Sequence, residues 1–232
     1  MSRKSRRNRP DTNAQAPEKG PVRRRAMLLA GVAGLLLAVL MGILLYERGA
    51  PASGSGDAQA ALASLQAPTL GDPGAKVHVV EFMDPACETC AMFYPLVKQV
   101  MADNPGKIRL SVRQVAFHNG SDYVVRLLEA SRRQDKYWQT LETLLATQAQ
   151  WTQNHTVVPE LVDVVIDGLG LDMSRLATDM NSPEVIARVQ QDANDAITMK
   201  VTATPEYFVN GRPMPSFGQQ QLLDLIDEEL NR

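Results

Sequence analysis

Val77-His78-Val79-Val80-Glu81-Phe82-Met83-Asp84-Pro85-Ala86-Cys87-Glu88-Thr89-Cys90 is the stretch that decides how the rest of this chain is read. Its first seven residues are mostly apolar and rich in β-branched side chains, and Asp84-Pro85 stops them. They read as a buried strand. From Cys87 to about residue 102 the spacing turns helical, with Met92, Phe93, Leu96, Val97 and Val100 on one side. Cys87 and Cys90 are the only two cysteines of 232 residues. A chain that used cysteine for packing or staples would scatter it. Two thiols this close, at a strand-to-helix turn, can reach each other's sulfur and so open and close a disulfide.

Working outward, Ile108, Leu110, Val112, Val115 and Phe117 form a second strand pattern, which completes a right-handed βαβ unit. Residues 121–200 are helical in pattern. Ser121 offers a cap to a helix with Val124, Leu127 and Leu128. A second helix covers about 136–147, and Pro159 opens a third that ends at Gly168-Leu169-Gly170. Ser182-Pro183-Glu184 supplies cap, N1 proline and first-turn acid for a helix with Val185, Val189, Ala193 and Ile197 four apart. Strand character returns at Glu206-Tyr207-Phe208-Val209, and Asn210-Gly211 signals a hairpin. Ser216 and Gln219 suggest a capping box for a last amphipathic helix. Trp138 and Trp151 are expected to pack in the core, and the three histidines, His78, His118 and His155, to fill structural roles.

Residues 26–46 are 21 positions without a charge. As a helix they span about 31 Å, enough for a hydrocarbon core of about 30 Å. Nine Lys and Arg against two acids precede them, for +7; the other fifteen basic and twenty-four acidic residues leave −9, together the chain's −2. A basic flank stays cytoplasmic. The expectation is a basic tail (1–25), a transmembrane anchor (26–46), a flexible linker (47–66) and an exported domain (67–232). A cleaved signal peptide is the alternative, but the apolar run exceeds the usual h-region of about 7–15 residues. The basic tail next to a membrane span reads as an orientation signal, not as a nucleic-acid site.

This layout resembles the thioredoxin fold and, with an all-helical insertion over about 118–200, the DsbA-type thiol:disulfide oxidoreductases. The resemblance covers roughly residues 68–230. It rests on C-x-x-C at a strand-to-helix turn and on Glu81, six residues before Cys87, where the family places a buried acid. It also rests on Pro95, matching the proline that kinks the active-site helix, and on Thr204-Pro205 before a strand, matching the cis-proline loop. The resemblance implies that Cys87, at a helix N-terminus, is the nucleophile and that Cys90 resolves the mixed disulfide. Glu81 would be desolvated and shuttle a proton to Cys90. Thr204 and Pro205 would bind an extended substrate chain. The bland readings are an edge-strand acid for Glu81 and ordinary prolines at 95 and 205.

Glu88 and Thr89 stand where strongly oxidising members carry histidine. A carboxylate beside Cys87 is expected to raise its pKa and to set a potential near the middle of the range of about −120 to −270 mV. The implied partners are thiol-containing exported proteins and a membrane redox partner, either a quinone-linked oxidase or an electron donor. A monomer is expected, with no cofactor and no nucleic acid. Direction stays open between a disulfide donor and a reductase or isomerase. A zinc site lacks ligands near the pair. A Cu(I) site lacks a Met or His cluster, although Met83 and Met92 lie near in sequence.

Overall fold

The computed structural model describes Met41, Ala61, Leu62 and residues 66–232. Apart from Met41, the expected anchor over 26–46 lies outside the described residues. Among these, no helix is long and apolar enough to cross a membrane.

The elements run β1 (Thr69–Leu70), β2 (Val77–Met83), α1 (Glu88–Asp103), β3 (Ile108–Gln114), α2 (Ser121–Arg132), α3 (Tyr137–Ala146), α4 (Gln148–Trp151), β4 (Thr152–Gln153), β5 (Thr156–Val157), α5 (Pro159–Ile166), α6 (Met173–Asp179), α7 (Pro183–Thr198), β6 (Glu206–Val209), β7 (Arg212–Pro213) and α8 (Gln219–Asn231). The main sheet has the order β1-β3-β2-β6-β7. β2 and β3 are parallel, joined by α1 as the βαβ reading requires, and β6 is antiparallel to β2. β2 is the central strand and is buried on both faces, which is why it reads as an apolar run and not as an alternation.

Alternation then sorts its side chains. Val77, Val79 and Met83 join the large core with Cys90, Phe93 and Val97 of α1 and Leu222 and Ile226 of α8. Val80 and Phe82 point the other way, into a smaller cluster with Val115, Ala196, Phe208 and Leu62. The domain therefore reaches further toward the N-terminus than the linker reading allowed, since Ala61 and Leu62 are buried in it.

Four sequence expectations are corrected. The insertion is not all-helical: β4 and β5 form a small antiparallel hairpin inside it. β3 ends at Gln114, and Phe117 is largely exposed. Gly120, at φ +78°, is the N-cap of α2 in place of Ser121, whose hydroxyl turns inward. The Ser216/Gln219 box does not form, because α8 starts at Gln219 and Phe217 instead packs on the Phe93 ring at 5.2 Å.

On α7, Ser182 caps as expected, accepting from the Val185 N–H, but Ile197 is exposed. Positions four apart drift by about 40° per step on a helix of 3.6 residues per turn, so the stripe from Val185 rotates out of contact. The buried face is instead Val185, Arg188, Asp192, Asp195 and Ala196. Its carboxylates grip the fully buried Arg113 of β3: Asp192 at 2.7 Å, and Asp195 through a second ion pair. The Arg113 guanidinium also donates to the Ala61 carbonyl and lies over the Phe82 ring. Trp151 is fully buried, donating from Nε1 to the Leu144 carbonyl at 2.9 Å, while Trp138 packs partly buried at the core's edge.

Candidate active site

The β2-to-α1 turn places both cysteines. Asp84-Pro85 ends the strand, and Cys87 becomes the N-cap of α1 with extended backbone (φ −81°, ψ 117°). Cys90 follows one turn in, and both are free thiols. Cys90 is sealed, and Cys87 retains 6% exposure. Pro95 sits inside α1 as expected. Thr204-Pro205 is a cis peptide, and the Thr204 carbonyl accepts from the Cys87 thiol at 3.2 Å. The structure thus joins residues 117 positions apart into one site.

The two thiols are driven in opposite directions. Cys87 falls from 9.0 to about 5, chiefly because the Cys90 thiol is directed at its sulfur. Burial opposes this, and the Thr204 side chain and the backbone N–H groups of Cys90 and Thr89 add to it. In the thiol form no side-chain cap bond is closed; those N–H groups are unpaired first-turn donors that favour an anion at the N-cap. Cys90 is pushed far above its ordinary value, first by burial and then by giving its hydrogen bond to Cys87. The expectation that Glu88 would raise the Cys87 pKa is corrected. Its exposed carboxylate turns to His155 Nδ1 at 2.8 Å, at the tip of the β4–β5 hairpin, and donors from the turn dominate at the sulfur.

Glu81 lies beneath the pair, fully buried, which excludes the solvent-edge reading. It is in register with Val112 and Tyr207. Among the described residues, neither carboxyl oxygen nor the Tyr207 hydroxyl has a hydrogen-bond partner. The two residues are nonetheless paired across β2 and β6. Burial raises Glu81 from 4.5 to about 8, Tyr207 pulls it partly back, and the Cys87 charge adds to the rise. At neutral pH it is a carboxylic acid.

No group of three His, Cys, Asp or Glu side chains able to hold a metal ion occurs among the described residues. The histidines part company. His78 sits partly buried on β2 against Ser111 and Arg109, and burial followed by the Arg109 charge lowers it to about 4. His118 belongs to the site, with Nδ1 at 2.8 Å from Asp84.

A sequence profile described as thioredoxin matches residues 64–228. The chain belongs to the thioredoxin family. A thioredoxin-like oxidoreductase from Silicibacter pomeroyi DSS-3 is 30% identical, with a TM-score of 0.64 over 75% of this chain and 98% of that one. A probable disulfide bond formation protein D from Bacillus anthracis is 27% identical over 90% of this chain and 98% of its own length. The chain also matches a Na(+)/H(+) antiporter NhaA from Herminiimonas arsenicoxydans, 30% identical over 61% of this chain; there the chain spans only 22% of the relative's length. Its fold is shared with α-DsbA1 from Wolbachia pipientis, 18% identical with a TM-score of 0.65 over 75% of this chain and 96% of that one.

Two residues of this thioredoxin-family site went unread in the sequence. By local pattern Asp84 reads as a strand stop, and His118 as a structural histidine. Their link spans 34 positions, and no local spacing announces it. The one usable signal is an acid placed directly between an apolar strand and the cysteine turn.

Proposed function

We propose that the chain donates disulfides to thiol-containing exported proteins. It is held at the cytoplasmic membrane by residues 26–46, with its N-terminus in the cytoplasm and the catalytic domain in the periplasm. The observation that carries the reading is the opposite displacement of two thiols one turn apart, Cys87 down to about 5 and Cys90 up. A stabilised Cys87 thiolate stabilises the dithiol, which makes the disulfide an oxidant. The resemblance to a probable disulfide bond formation protein over nearly its whole length supports the same direction.

In the oxidised protein, a client thiolate attacks the Cys87 sulfur. The Cys87–Cys90 bond breaks with its electron pair on Cys90, and the neutral Glu81 carboxyl beneath supplies the proton; of the two protons the client thiols release, one restores Glu81 and the other passes to solvent. The mixed disulfide sits beside the Thr204 backbone, which offers hydrogen bonds to an extended client. A second client thiolate then attacks the client sulfur, and Cys87 leaves as the thiolate. Two electrons from the client dithiol end on the pair, and a membrane partner removes them. The unit acts as a monomer, the span between Tyr46 and Pro68 being short for a dimerisation module.

The test mixes oxidised protein with an unstructured peptide carrying two thiols. One peptide disulfide should form for each protein disulfide lost, and none with Cys87→Ser. In the native envelope, alkylation should find the pair mostly oxidised. A mostly reduced pair would reverse the direction in favour of a reductase.

A further inference from the structure

Asp84 is fully buried and yet its Oδ2 serves four donors. These are the N–H of Phe117 at 2.7 Å, the N–H of His118 at 2.9 Å, His118 Nδ1 at 2.8 Å and the Ser121 hydroxyl at 2.9 Å. Oδ1 accepts from the Ala86 N–H at 2.8 Å, and the Asp84 carbonyl accepts from the Cys87 N–H at 3.0 Å. One residue therefore fixes both the turn that carries the nucleophile and the His118 imidazole. Gly120 keeps the loop tight: a side chain there would meet Val157 at 3.1 Å. A buried carboxylate on Nδ1 orients the ring and favours its cation, since an uncompensated buried charge is costly. The His118 side chain keeps 26% exposure, whereas Glu81 is fully buried.

The two residues between the cysteines provide no cation. The geometry points to His118 as a positioning residue for thiol–disulfide exchange: clamped by Asp84, it supplies the imidazolium that holds Cys87 as a thiolate. This rests on the dithiol reading above and deepens it. The charged groups around the ring are Asp84, Cys87 and Glu88, with His155 beyond Glu88 as its pair. Burial pulls the imidazole down, but the Asp84 hydrogen bond and charge, then Cys87 and Glu88, outweigh it and raise its pKa. Coupling is reciprocal, so the ring must favour the Cys87 thiolate as much as that thiolate favours the ring.

The reciprocity can be measured without a variant of either residue. In the full chain, labelled at histidine and held in detergent, the three imidazoles are titrated by NMR in the dithiol and disulfide forms. His78→Gln and His155→Gln assign the signals. Glu88 carries the same charge in both forms, so the difference reports Cys87. The pKa of His118 should be higher by about one unit in the dithiol form, the low end for an opposite charge nearby. His118→Ala should raise the Cys87 pKa, read from thiolate absorbance, by a similar amount. It should also shift the glutathione equilibrium about tenfold toward the disulfide, or about 30 mV, and His118→Lys should restore most of it. An identical His118 pKa in the two forms overturns the assignment. So does a His118→Ala protein that is less stable but keeps its Cys87 pKa. If Cys87 and Cys90 form no disulfide at all, the dithiol reading falls and this one with it. If they cycle normally while His118 does not respond, this one alone falls.

Discussion

Replacing Glu81 by Gln should make the oxidised protein more stable as the pH rises, while slowing its chemistry. The carboxyl is fully buried and its pKa moves from 4.5 to about 8. Between those values the native protein holds a proton that the unfolded chain has released, so stability must fall with rising pH. Each unit of displacement is about 1.4 kcal/mol. The loss is then at most about 3 kcal/mol from pH 4.5 to 7 and at most about 5 kcal/mol by pH 8, and it is smaller in the disulfide form, where the Cys87 charge that adds to the rise is absent. In the reduced protein the depressed Cys87 pKa acts with the opposite sign, since the unfolded thiol keeps a proton that the native thiolate has given up. In the disulfide form neither cysteine titrates and the slope isolates Glu81. Urea unfolding of oxidised wild type and Glu81→Gln at pH 4.5, 7 and 8.5 makes the comparison. The wild-type stability should fall relative to the variant by the amounts given. Parallel curves would refute the claim that a desolvated, neutral carboxyl lies under the pair.

Cys87→Ser should abolish turnover, whereas Cys90→Ser should trap mixed disulfides with clients; trapping by Cys87→Ser alone would reverse the nucleophile. With Cys87 at about 5, between the values of about 7 for thioredoxin and 3.5 for DsbA, the potential should be about −190 mV. Equilibration with glutathione measures it, and a value at or above about −120 mV would contradict the thiolate argument. Arg113→Met leaves Asp195 buried without its cation, while Arg188 still pairs with Asp192 at 2.7 Å, and should cost about 3 kcal/mol in chemical denaturation. A loss below about 1 kcal/mol would mean that α7 is held by its apolar contacts alone.

What was legible in the sequence follows from the range of each interaction. The strand at Val77–Met83, the C-x-x-C turn and the cap at Ser182 are written in neighbouring residues, and local spacing reads them. Thr204-Pro205 came into view through the family resemblance, because nothing local ties it to Cys87 across 117 positions. The buried polar groups were opaque for a different reason. Arg113, Asp192 and Asp195 break every hydropathy pattern and are tolerated inside because they meet one another and the partly sealed Arg188. Asp84 and His118 are the same case at the active site. Glu88 is adjacent to Cys87 in the chain, but adjacency is not electrostatic weight: in the fold its carboxylate leaves toward His155.

The sealing of Cys90 and Glu81 also fixes how many protons accompany the electrons. Between about pH 6 and 7 the reduced pair holds one dissociable proton, on Cys90, because Cys87 is largely ionised and Glu81 largely neutral. Reduction is then a two-electron, one-proton event. Its potential should change by about 30 mV per pH unit, half the slope of a couple that takes up two protons. Acidification outside the membrane would strengthen this oxidant only half as much as it strengthens an ordinary dithiol, so its driving force over client thiols narrows as the compartment turns acid.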